Sequence, residues 1–193
     1  MRAKVREVLQ TILLALLIFM ALQVSIQNFR VEGSSMDPTL RDRQYLLVNK
    51  LLYYRLDKAR LARWLPFFDA KEGAILHPFH PPNRGDVVVF RFPRDESRDF
   101  VKRVIGVPGD EVEIRDGRVF LNDRALQESY VLGPSNCSLP RTCGIRLKDG
   151  EYFVLGDNRP ASNDSRDWGP VHLDNIIGRV WVSYWPFSEL GFE

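Results

Sequence analysis

Only two cysteines and three histidines occur among the 193 residues, and the 13 glycines stand singly. Each scarcity closes off a chemistry. Two thiolates cannot complete a zinc site alone, and no histidine stands near Cys137 or Cys143 in the sequence to help. His77, His80 and His172 form no His-Glu-x-x-His pair, and there is no Gly-x-Ser-x-Gly elbow. His77 and His80 lie in a Pro-rich run and His172 follows Gly169-Pro170, so all three read as loop residues. No glycine-rich loop is present to cradle a phosphate. Neither a metal nor an organic cofactor is expected. A basic excess is missing too. The net charge of +2 is carried wholly by Arg2, Lys4 and Arg6 against Glu7, and the chain beyond residue 29 is neutral. A neutral body lacks the field that nucleic-acid binding draws on.

What the chain does have is one long uncharged stretch, running from Val8 to Phe29 between Glu7 and Arg30. Of the 20 residues from Val8 to Gln27, 15 are apolar, and at ~1.5 Å per residue a helix of that length spans the ~30 Å hydrocarbon layer. Arg2, Lys4 and Arg6 precede it, so the positive-inside rule places residues 1–7 in the cytoplasm and the body outside. A cleaved export leader has the same order of charge and apolar residues. It would need small residues at −3 and −1 after the run, and no clean pair follows Met20. The expectation is a retained single transmembrane helix at 8–29 in an inner (plasma) membrane.

Past residue 30 the pattern turns to short runs of β-branched or alternating residues bounded by Gly, Pro, Asn or Asp. Tyr45–Val48, Asp86–Phe92, Phe100–Val107, Glu111–Ile114, Arg118–Leu121, Glu151–Leu155 and Ile176–Tyr184 are predicted strands. Asp116-Gly117 between two of them is a two-residue hairpin signal. Leu51 to Trp64 is the exception and reads as a short amphipathic helix. The fold class expected is mainly β: a membrane helix, an antiparallel body over 30–110 and 151–193, and a small β-rich insertion at 111–150. If the body is extracytoplasmic, a disulfide between Cys137 and Cys143 is the natural reading; in a reducing compartment both would be free thiols.

Three polar elements remain. Gly33-Ser34-Ser35-Met36-Asp37-Pro38-Thr39-Leu40 follows the apolar run closely, with small residues before a serine that Pro38 helps to present. Alone it also reads as a linker. Lys102 stands in the apolar strand Phe100–Val107. By pattern it reads first as a solvated lysine of an edge strand. The alternative is a desolvated amine whose pKa falls far enough for it to take a proton from a serine hydroxyl. The last element, Gly156 to Gly169, is a loop of hydroxyls and alternating charges after a strand, of a composition that ordinary loops share.

In this order the three elements resemble the boxes of bacterial type I signal peptidases, the membrane-bound serine endopeptidases of family S26. Ser35 to Leu40, Arg84-Gly85-Asp86 with the strand after it, Lys102-Arg103 with Gly106, Pro108, Gly109 and Asp110, and 156–169 carry the resemblance along nearly the whole chain. It implies that Ser35 is the nucleophile and its backbone N–H an oxyanion donor, and that Lys102 is the general base. Ser162 would orient the amine, Asp164 and Arg166 would pair, and Asp157 would support the same wall. Gly33 replaces the serine that gives some members a second oxyanion donor, and Pro160-Ala161 replaces polar residues. The implied partners are preproteins bearing signal peptides, the lipid bilayer and the export machinery. The rival readings are a processing peptidase dedicated to one secretion system or organelle, a self-cleaving repressor with a Ser-Lys pair, and an inactive anchored assembly factor.

Overall fold

The computed structural model describes residues 2–51, 56–57, 75–76, 81–137 and 143–192. The chain opens with helix α1 (Arg2–Ser25) and passes directly into β1 (Ile26–Arg30). The helix therefore stops four residues short of the expected boundary. Ile26 to Arg30 pair antiparallel with Asn49 to Tyr45, and these interstrand bonds replace another helical turn in a stretch where polar residues already alternate with apolar ones. Leu9, Leu13, Leu17 and Phe19 on α1 are each more than half exposed. Among the described residues no helix is long and apolar enough to cross a membrane.

The strands follow as β2 (Tyr45–Asn49), β3 (Leu56–Asp57), β4 (Ile75–Leu76), β5 (Val87–Phe92), β6 (Asp95–Gly106), β7 (Glu111–Arg115), β8 (Arg118–Leu121), β9 (Arg124–Ala125), β10 (Gly144–Arg146), β11 (Glu151–Leu155), β12 (Val171–His172), β13 (Ile176–Trp185) and β14 (Gly191–Phe192). A further α-helix is the single turn α2 (Ser165–Trp168). An eight-stranded antiparallel sheet has the order β1-β2-β13-β5-β6-β11-β12, with β14 on the side of β13. A second sheet, β10-β7-β8-β9, is built from residues 111–146 alone. The predicted helix from Leu51 to Trp64 lies almost wholly outside the described residues. Leu51 and Leu56–Asp57 are described, and Leu56–Asp57 is a strand paired with Ile75–Leu76.

The residue patterns explain the layering. Val87 to Phe90 are buried without a break, as suits a central strand covered on both faces. On one face Val87 and Val89 join Met36, Leu40, Leu46, Val48 and Val180, and on the other Val88 and Phe90 join Val104, Tyr152, Val154 and Ile176. Strand β7 alternates instead, and its inward Val112 and Ile114 pack with Ile105, Phe153 and Leu155, which seals the small sheet onto the large one. Asp116 and Gly117 both have positive φ, +50° and +72°, as the tight turn between β7 and β8 requires. Cys137 and Cys143 are joined in a disulfide, their Cα atoms 5.6 Å apart.

Candidate active site

The loop between β1 and β2 carries Ser35. Met36 and Leu40 are fully buried and root it in the core, while Ser35 itself stays half-buried. The loop closes on itself through Val31 N–H to the Gln44 carbonyl (2.8 Å) and Gly33 N–H to Asp42 Oδ1 (2.8 Å). Gly33 has φ +87°, a conformation that side chains disfavour. From outside, Glu189 accepts hydrogen bonds from Arg41 Nη1 (2.6 Å) and Gln44 Nε2 (2.7 Å), tying the loop to the C-terminal segment.

Lys102 comes from the interior half of β6 and is 4% exposed. Its Nζ lies 2.8 Å from Ser35 Oγ and donates to the Val101 carbonyl at 2.9 Å. Burial is the largest influence on the amine and lowers its pKa to about 8; Asp164 and Asp157 pull it upward and Arg166 downward. The solvated edge-strand reading of Lys102 is thus replaced by the buried one. Beside the pair opens a cavity of about 520 Å³ with Phe29, Val31, Leu46 and Val89 in its apolar wall.

The loop after β11 forms the back of the site. Asn158 N–H donates to the Ser35 carbonyl at 3.1 Å. Asp157 is 1% exposed and takes a forked pair of bonds from Arg103, Nε to Oδ1 at 2.9 Å and Nη2 to Oδ2 at 2.7 Å. Arg103 also donates to the Gly85 carbonyl (2.9 Å) and Thr39 Oγ1 (3.2 Å), and Thr39 Oγ1 donates to Asp157 Oδ2 (2.5 Å). Asp164 caps α2, accepts from Gly156 N–H (3.1 Å) and is gripped by Arg166 Nε (2.8 Å) and Nη2 (2.9 Å).

The family resemblance implied that Ser162 orients the lysine amine, and that hydrogen bond is not formed. The amine is taken up by Ser35 Oγ and the Val101 carbonyl, and the buried Ser162 Oγ has no hydrogen-bond partner among the described residues. It lies against Gly156 instead. No role was read from the sequence for Arg103, Thr39 or Arg159. Arg159 is 1% exposed and binds the Gly156 carbonyl (3.0 Å), Glu128 and Ser135. The available signal for Arg103 was a second charge inside an apolar strand. Arg159 and Glu128 are 31 residues apart, and nothing local pairs them. His172 stands on the surface against Asp174, while His77 and His80 lie outside the described residues.

A serine hydroxyl held against a desolvated amine, beside an apolar cavity and backed by buried ion pairs, is the equipment of a serine hydrolase. Residues 5–185 match the family described as signal peptidase, peptidase S26. The chain is 33% identical over 195 residues to the probable signal peptidase I-1 of Synechocystis sp., covering 97% of this chain and 86% of that one. It is 33% identical over 196 residues to signal peptidase I U of Bacillus subtilis (98% and 91% covered), and 32% over 196 residues to signal peptidase IB of Staphylococcus aureus (92% and 87%). The chain belongs to the signal peptidase family, peptidase S26, and is a serine endopeptidase.

Gly156 offers a test of how tightly the site is packed. A Cβ there would lie 2.2 Å from Ser162 Oγ and 2.4 Å from the Ser35 carbonyl oxygen, and the second of these is backbone that cannot rotate away. Gly156→Ala is expected to cost about 1–3 kcal/mol of stability and to reduce peptidase activity by displacing Ser35. Thermal melting and peptide cleavage check this, and a variant with the wild-type midpoint and rate would show that the loop absorbs the methyl group freely.

Proposed function

We propose that this peptidase removes signal peptides from exported preproteins at the outer face of a membrane, with Ser35 as nucleophile and the neutral amine of Lys102 as general base. The observation that carries the reading is the 2.8 Å contact between Lys102 Nζ and Ser35 Oγ, on an amine 4% exposed. When neutral, Lys102 accepts the Ser35 hydroxyl proton as Oγ attacks the scissile carbonyl. The oxyanion forms against the Ser35 backbone N–H, and Gly33 adds no side-chain donor. The lysine ammonium then gives its proton to the departing amine, leaving an acyl ester on Ser35. A water molecule, deprotonated by the same lysine, hydrolyses that ester and restores the hydroxyl.

In this reading α1 lies in the membrane as the anchor, although by itself it is not long and apolar enough to cross it. Apolar side chains from Val8 to Met20 are exposed all round it, at 53–61%, and a helix apolar on all sides is at home in lipid. Arg2, Lys4 and Arg6 mark its cytoplasmic end, so the catalytic body sits on the periplasmic side. Ser35 follows Gln27 by eight residues, a reach of at most ~29 Å, which keeps the nucleophile near the surface where an inserted leader emerges from the export machinery. Trp181, Trp185 and Phe187 are about half exposed or more, and suit the lipid interface.

The base assignment sets the pH dependence. Below a pKa of about 8 the amine is protonated and accepts nothing, so kcat/KM for a precursor peptide is expected to rise about tenfold per pH unit below that value and to level off above it. Cleavage assayed from pH 6 to 11 with full-length protein in detergent measures this. A rate still climbing to the ordinary lysine value near 10.5 would mean that the working base is solvated and is not this amine.

A further inference from the structure

We propose that Tyr130, delivered by the inserted region, is a positioning residue for the Ser35–Lys102 pair, acting through Arg103. The inference rests on the Ser–Lys reading above. After β9 the chain leaves the small sheet and runs back across the catalytic body as an arm. Leu132 N–H donates to the Asp157 carbonyl (2.9 Å) and the Leu132 carbonyl accepts from Arg159 N–H (3.0 Å), so the arm is laced to the loop behind the lysine. Tyr130 on this arm stacks on Arg103, its ring centre 4.1 Å from the guanidinium carbon. The phenol donates to Glu128 Oε1 at 3.0 Å, and Glu128 is itself fixed by Arg159 Nη1 at 3.1 Å and Nη2 at 2.5 Å. Burial and the Glu128 carboxylate hold the phenol well above its ordinary pKa, so it remains a neutral donor.

Arg103 is the group that this ring controls. Its guanidinium bridges the two halves of the site by holding Thr39, four residues after Ser35, and Asp157, whose neighbour Asn158 binds the Ser35 carbonyl. Those bonds act in the guanidinium plane. A ring on one face sets the tilt of that plane and excludes water from a forked pair whose strength depends on its absence. The nucleophile loop and the loop behind the base are thereby held in one register through Arg103.

The test uses full-length protein in detergent with a precursor peptide, comparing Tyr130→Leu, Tyr130→Phe and Lys102→Met. Tyr130→Leu keeps apolar volume but loses the aromatic face, and is expected to lower kcat at least ~10-fold through misplacement of the nucleophile, with KM within about twofold. Tyr130→Phe retains the face and is expected to stay within about threefold of wild type in kcat. Should the leucine variant fail to fold by circular dichroism, Tyr130→Met carries the same expectation. A folded leucine or methionine variant with wild-type kcat overturns the inference, as does a phenylalanine variant as slow as leucine. Activity in Lys102→Met would instead overturn the Ser–Lys reading itself, so the two failures are distinguishable.

Discussion

Lys102→Met is expected to abolish cleavage and, at neutral pH, to make the protein more stable. Methionine fills nearly the same volume as lysine but cannot take a proton, so turnover should fall by ~10³-fold or more, as for other activated nucleophiles stripped of their base. Stability moves the other way because burial disfavours the charged amine, lowering its pKa from 10.5 to about 8. The folded state therefore binds fewer protons than the unfolded state between those values, and stability from this group rises with pH across that interval. Below pH 8 the whole cost is present, about 3 kcal/mol for a drop of that size, reduced somewhat by the hydrogen bonds to Ser35 Oγ and the Val101 carbonyl. Removing the amine should thus stabilise the protein by about 2–3 kcal/mol at pH 7 and by little at pH 10.5. Urea unfolding of both proteins at the two pH values tests this, with cleavage measured in parallel. A variant less stable than wild type at pH 7 would mean that the amine is not held against its solvation. Ser35→Ala separates the two effects: it should lose activity to the same degree while leaving the pH dependence of stability in place.

The stability trade at Lys102 also explains why the sequence was legible where it was. Strands declared themselves because their signals are local: Val87 to Phe90 as an unbroken apolar run, Glu111 to Ile114 as an alternation, Asp116-Gly117 as a turn. The edges were less legible. Ile26 to Phe29 belong to the uncharged stretch, and only their partners on β2, some 20 residues away, make them a strand. Lys102 was legible as an anomaly, a charge where alternation wants an apolar residue, but its burial depends on which strands flank β6. The network behind it was harder still. Arg103 with Asp157, and Arg159 with Glu128, join residues 54 and 31 positions apart, and a run of alternating charges looks the same whether it is solvated or paired. Ser162 shows the converse error, since the resemblance gave it a partner that the local geometry does not supply.

Asp157 is where that hidden pairing should be most costly to break. Its carboxylate is 1% exposed and meets both donors of the Arg103 fork as well as Thr39 Oγ1, while Arg103 is itself nearly buried. Asp157→Ala removes the carboxylate that meets the guanidinium fork, and a buried charge that has lost its ion-pair partner costs about 3–5 kcal/mol. The lost carboxylate volume adds to this. Activity should fall as well, because Thr39 and Asn158 fix the Ser35 loop from either side of this carboxylate. Asp157→Asn keeps the volume and two acceptor lone pairs but loses the charge, so it should lie between alanine and wild type in both respects. Replacing both partners with apolar residues of similar size, in Arg103→Met/Asp157→Leu, is expected to recover much of the lost stability, since no charge is left buried. It should not recover cleavage, because the apolar pair has no donor for Thr39. A double variant that regained wild-type turnover would show that the ion pair serves folding alone, and unfolding midpoints measured beside cleavage rates decide between the two.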